Sequence, residues 1–198
     1  NRTPPKTQAA LLEAMQEKQV TAAGETYQLP SPFFILATQN PIDQSGTYTL
    51  PEAQTDRFMM KLLVEYPDFD EESRIVDMFT TGAKQIPVER VLSREEIRAA
   101  QEFVREVPIA DDIRDRVVRL VQRTRDADEI DYGASPRASM ALVLASKARA
   151  FLRGRSHVAS EDIEALAAPV LRHRIVLDFR AEREGRTTDD AVADLLAE

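Results

Sequence analysis

Phe33-Phe34-Ile35-Leu36-Ala37-Thr38-Gln39-Asn40-Pro41 and, shortly after it, Leu50-Pro51-Glu52-Ala53-Gln54-Thr55-Asp56-Arg57-Phe58 decide how this chain reads. The first stretch is an apolar run that stops at polar residues and a proline, the pattern of a buried strand delivering an amide side chain to a cleft edge. The second is a short polar segment closed by a lone arginine, after which a further apolar run, Phe58 to Val64, reads as a second strand. A hydrogen-bonding residue at a strand end and a presented cation together suit a phosphate site.

Outward from these stretches, the chain changes character at Tyr66-Pro67-Asp68. Before that point the sequence predicts a helix opened by Thr3-Pro4, with Ala10, Leu11, Ala14 and Met15 inward and an end near Lys18. Gln19 to Leu29 predicts a hairpin around Gly24, and Ile42 to Tyr48 has loop chemistry. Beyond it the period is helical. Ile75, Met78 and Phe79 mark a helix beginning near Asp70, and Ser93 with Glu96 forms a capping box. Ile113, Val117, Leu120 and Val121 follow at helical spacing. Ser135-Pro136 opens a helix expected to turn Met140, Val143, Leu144, Phe151 and Leu152 inward. Ser160 caps another with Ile163, Leu166, Ala167, Val170 and Leu171, and Val192, Leu195 and Leu196 close the chain. Arg180 to Arg186 reads as a solvated connector. The fold class expected is a small α/β part, residues 1–66, followed by an all-α bundle, residues 67–198.

The chain has 198 residues, a formal net charge of −8 and a pI near 5.0. That acidity argues against unspecific binding to nucleic acid or anionic lipid, which needs a cationic field. With no cysteine, a disulfide framework and thiolate metal sites are excluded. No apolar run is long enough to span a bilayer and no signal-peptide pattern opens the chain. His157 and His173 lack partners at ligand spacing, so no metal site is expected. Asp68, Asp70, Glu71 and Glu72, and likewise Asp111, Asp112 and Asp115, read as helix N-terminus stabilisers.

ATQNP at 37–41, LPEAQTDRF at 50–58 and GASPR at 133–137, in that order, resemble the second half of a MoxR-type AAA+ ATPase. The opening residues Asn1 to Met15 resemble the segment directly after the Walker B carboxylates in that family. The resemblance implies that the 19–29 hairpin faces a central pore, and that residues 1–66 belong to the nucleotide-binding core and 67–198 to its helical lid. It makes Asn40 the sensor-1 residue, which hydrogen-bonds the γ-phosphate or orients the attacking water. Arg57 becomes the arginine finger and Arg137 the sensor-2 arginine. Each has a plainer alternative: Asn40 a turn-former, Arg57 a surface charge paired with Asp56, Arg137 a first-turn arginine against the helix dipole.

No glycine in the sequence sits in a GxxxxGK[ST] loop, and the expected acidic pair would lie just before Asn1. The resemblance therefore implies ATP and Mg²⁺ in a full-length parent and nothing tightly bound to this stretch alone, which is expected to be inactive by itself. It implies a ring, commonly a hexamer, a von Willebrand factor A-domain partner and remodelling or chaperone-like activity; a cytoplasmic setting is expected as well, with which the absence of cysteine is compatible. Two other readings stay open: a non-enzymatic helical interaction module, and a DNA-handling AAA+ relative. The two strands should lack neighbours within this chain, leaving residues 1–66 poorly ordered, paired with another chain or completed by further polypeptide.

Overall fold

The computed structural model describes residues 5–40, 51–81 and 88–197; the expected Thr3 cap and the 42–48 loop lie outside them. Helix α1 (Pro5–Glu17) leads into a hairpin of β1 (Gln19–Ala22) and β2 (Glu25–Gln28), paired from Gln19↔Gln28 to Ala22↔Glu25. The loop residues Ala23 and Gly24 both have positive φ, 52° and 85°, as a tight two-residue hairpin turn requires. Thr21 Oγ1 donates to Glu13 Oε1 at 3.0 Å, tying the hairpin to α1.

Residues 33–38 and 58–64 differ from expectation: neither forms a strand. A strand exists through its ladder, and no described segment offers one to either run. Their side chains follow suit. Leu36 is 83% exposed and Val64 95%. Between these runs lies the short helix α2 (Glu52–Thr55), and after them α3 (Phe69–Thr80), α4 (Arg94–Glu106) and α5 (Asp111–Arg123). Asp68 caps α3, its carboxylate accepting from Glu71 N while the Glu71 side chain takes the Asp68 N–H. Ser93 and Glu96 make the same reciprocal box at α4.

The core lies in the helical part. Helices α6 (Pro136–Leu152), α7 (Ser160–Leu171) and α9 (Thr188–Ala197) pack with α5 around Val117, Val121, Leu142, Ile163, Val170, Leu171 and Val192, all fully buried. Helix α6 turns a different face inward from the one its large residues suggest. Ala138, Leu142, Ala145, Ser146 and Ala150 are buried, whereas Met140 and Leu152 point outward and Val143 and Phe151 only flank the core. Small side chains let α7 approach closely, and that contact outweighs burying the bulkier stripe.

Helix α7 is capped from within. Asp162, not Ser160, takes the Ala159 N–H at 2.9 Å, and Arg149 and Arg155 clasp the same carboxylate. Burial opposes its charge, yet hydrogen bonds from Arg155, the Ala159 N–H and Arg149 hold the carboxyl below its ordinary range. The bundle is also not purely helical, because β3 (Ile130–Tyr132) pairs antiparallel with β4 (Val176–Leu177). The expected connector contains helix α8 (Phe179–Arg183), capped by Asp178, and Arg186 bonds Glu129 at 3.0 Å to join β3 to the segment before α9.

Candidate functional site

Pro51 begins α2, its carbonyl accepting from Gln54 N at 2.8 Å and Thr55 N at 3.1 Å. The turn continues as Arg57 N reaches Gln54 O and Phe58 N reaches Thr55 O, so Asp56 and Arg57 sit on a hydrogen-bonded corner rather than a loose loop. Residues 58–61 then run along the C-terminal end of α7. The last carbonyls of a helix have no partner inside it, and here Pro169 O accepts from Lys61 N at 2.8 Å. Arg172, His173 and Arg174 follow α7 directly, where the helix dipole favours cations, and all three bond this strap. Arg172 Nη1 reaches Lys61 O at 3.3 Å, His173 Nε2 reaches Phe58 O at 3.0 Å and Arg174 Nη1 reaches Met59 O at 3.1 Å.

GASPR arrives from the other side. A Cβ on Gly133 would stand 2.5 Å from Thr124 O and 2.6 Å from the Arg125 Cα, so only glycine permits this approach to the end of α5. The approach is then locked: Ala134 N donates to Thr124 Oγ1 at 2.9 Å, and Arg125 Nε to Ala134 O at 2.8 Å. Ser135 caps α6 by accepting from Arg137 N. Its hydroxyl donates to both Asp56 oxygens, at 3.1 and 2.9 Å. Arg137 Nε stands 3.8 Å from Asp56 Oδ2, and Arg174 Nε donates to Oδ1 at 3.0 Å.

Asp56 is therefore the point where the strap and the helical part meet. It pairs with Arg174, Ser135 and Arg137 rather than serving as a local counter-charge to Arg57, which corrects the plainer alternative for Arg57. Arg57 itself is half-buried, and its Nε and Nη1 are shielded from solvent with no hydrogen-bond partner among the described residues. Buried donors left without acceptors are costly, more so on a charged group. Two guanidinium groups, of Arg137 and Arg174, against one carboxylate leave a local positive excess in an acidic chain. Arg174 feels it: burial pulls its pKa below the ordinary arginine value, against the attraction of Asp56.

His173 contributes differently. The Phe58 carbonyl can only accept, so Nε2 carries the proton, while Nδ1 is buried without a partner among the described residues. Burial, then the neighbouring Arg174 charge, lowers its pKa to about 4. Asn40 is exposed at the end of the 29–40 segment. Thus Arg137 meets Asp56, the chain neighbour of Arg57, while Asn40 stands on a separate stretch. Among the described residues no group of three or more His, Cys, Asp or Glu side chains is placed to hold a metal ion.

Residues 1–60 match the family described as ATPase family associated with various cellular activities (AAA), and residues 122–195 match the AAA lid domain. Chaperone MoxR1 of Mycobacterium tuberculosis is 40% identical over 190 residues, covering 91% of this chain and 50% of that protein. The chain belongs to the MoxR-type AAA+ ATPases. Protein YeaC of Bacillus subtilis, described as uncharacterized, is 44% identical over the whole chain and 62% of its own length. A crystal structure of a putative ATPase from Cytophaga hutchinsonii superposes with a TM-score of 0.93 at 40% identity, covering 100% of this chain and 62% of that one. The chain thus spans between 50% and 62% of the length of these three relatives. The α/β part with its helical lid is the expected fold, with the two unpaired runs and the β3–β4 ribbon as its departures. Among the described residues no helix is long and apolar enough to cross a membrane.

Sequence reasoning missed Arg174, His173 and the part played by Asp56. A signal for the first two exists in the run Arg172-His173-Arg174 directly after the apolar stripe of α7. Asp56 carries none, because its partners lie 79 and 118 residues away.

Proposed function

We propose that this chain supplies the cationic side of a composite ATP site in a ring-forming ATPase that couples hydrolysis to remodelling or chaperone-like maturation of other proteins. The observation that carries this reading is Arg57, two of whose donors are shielded and unpartnered among the described residues, next in the chain to the carboxylate that Arg137 meets from the start of α6. Charge builds on phosphoryl oxygens during transfer, and a planar guanidinium can contact two of them at once. Arg57 acts on the nucleotide of a neighbouring subunit, which makes a ring, commonly a hexamer, the working assembly. Arg137, at the first turn of α6, couples the lid (67–198) to the core part (1–66) through nucleotide. Asn40 orients water or donates to the γ-phosphate, since an amide both donates and accepts.

The residues present fit a polyanion, not its metal. When bound, ATP with Mg²⁺ supplies the transferable phosphoryl group, and the phosphate cradle and metal ligands come from polypeptide outside this chain. A von Willebrand factor A-domain protein is a candidate partner, in the cytoplasm, without nucleic acid. One observation favours an additional protein-binding role: α3 buries no residue and exposes Phe79 at 82%.

The test is steady-state ATP turnover by the full-length protein with Arg57→Ala and Asn40→Ala. Loss of the finger is expected to lower kcat by about a thousandfold or more. Near-normal turnover in both variants removes the assigned roles.

A further inference from the structure

We propose that Arg174 is a positioning residue for Arg57, holding the corner that carries it against the end of α7 while Asp56 joins that corner to the lid helix α6. The inference rests on reading Arg57 as the cation that meets nucleotide.

The geometry is unusually complete. All five N–H groups of Arg174 find acceptors: Asp56 Oδ1 from Nε at 3.0 Å, Asp56 O and Phe58 O from Nη2 at 3.0 and 2.5 Å, and Met59 O and Val170 O from Nη1. Four of these acceptors belong to residues 56–59, before and after Arg57, and the fifth is the Val170 carbonyl at the C-terminal end of α7. The Arg174 side chain is only 2% exposed. Arg57, by contrast, has no bond at Nε or Nη1 among the described residues, so its place is set by the backbone on either side of it. That backbone is what Arg174 grips. A lysine cannot reproduce the grip, because its three donors radiate from one point whereas the guanidinium fork spans separated acceptors. Ser135 and Arg137 bind the same carboxylate from the start of α6, so the clamp also links the finger to the lid arginine.

The experiment compares Arg57→Ala, Arg174→Lys, Asp56→Asn and the two double variants with Arg57→Ala, in the full-length protein. Steady-state turnover yields kcat and KM, and single-turnover release of radiolabelled phosphate follows the slow variants. Asp56→Asn preserves volume and the Ser135 bond, so it remains informative if Arg174→Lys folds poorly. Arg174→Lys and Asp56→Asn are each expected to lower kcat by roughly 10- to 100-fold, the cost of misplacing a catalytic group by about an ångström. KM for ATP should stay within about threefold, since nucleotide binding is not what they support. In the Arg57→Ala background neither should lower the rate further. Unchanged kcat in both single variants, or losses that multiply with that of Arg57→Ala, overturns the proposal. Normal turnover of Arg57→Ala overturns it together with the reading beneath it, and only that outcome reaches the reading.

Discussion

Residues 107–197 and the described residues 29–40 and 51–66 treat the same kind of side chain in opposite ways. Leu142 and Ile163 are fully buried, whereas Leu36 and Val64 are 83% and 95% exposed. The helical part satisfies its backbone within each helix and needs only a neighbouring face to bury its apolar stripe. An apolar run of strand type needs a second strand for its backbone and a layer for its side chains. Between the two regions, residues 56–61 are held by donors and acceptors of the helical part. Burial in this chain thus follows the availability of partners, not the hydrophobicity of the segment.

The sharpest way to break the comparison is at the charged group inside the helical core. Asp162→Ala leaves Arg149 and Arg155 facing an emptied site, and urea unfolding should show a loss of about 3–5 kcal/mol. Leu142→Ala should cost about 2–5 kcal/mol by the same measurement. Gly133→Ala forces a methyl against Thr124 O and should cost about 1–3 kcal/mol, with the α5–α6 junction shifting in a crystal structure of the variant.

His173 probes the seam between the two regions. Its pKa is near 6.5 when unfolded and about 4 when folded, so the unfolded chain takes up the proton first as pH falls. The stabilisation is full above about pH 6.5 and is lost progressively toward pH 4, on the order of 1–2 kcal/mol after allowing for partial solvent access. His173→Gln should flatten that part of the stability–pH curve. Leu36→Ala should change stability by less than about 0.5 kcal/mol in this chain. A loss there comparable to that of Leu142→Ala would mean that the segment around Leu36 possesses a core of its own.

Local signals were readable. The Ser93/Glu96 box and the Ser135-Pro136 start are settled within a few residues, so short-range chemistry decides them, whereas the acidic run at 68–72 reads in sequence only as stabilising a helix N-terminus and proves to hold the Asp68/Glu71 box. The stripes of α5, α7 and α9 were legible because each presents one apolar face. Helix α6 was not, since it is apolar on several sides and only the approach of α7 selects the Ala138–Leu142–Ala145 face. The β3–β4 ribbon escaped notice because its strands are three and two residues long and far apart in sequence. The candidate site was half legible: the motifs pointed to Arg57, Arg137 and Asn40, but not to the carboxylate beside Arg57 that Arg137 and Arg174 meet.

By itself the sequence determined the family and most of the helices, which depend on residue types at short spacing. Tertiary structure alone decided which face of α6 is inward, that Asp56 bonds Arg174 and Ser135, and that α7 offers its Pro169 carbonyl to Lys61. Those choices are made by groups remote in the chain competing for the same donors, acceptors and apolar area, and no local pattern records the outcome of that competition.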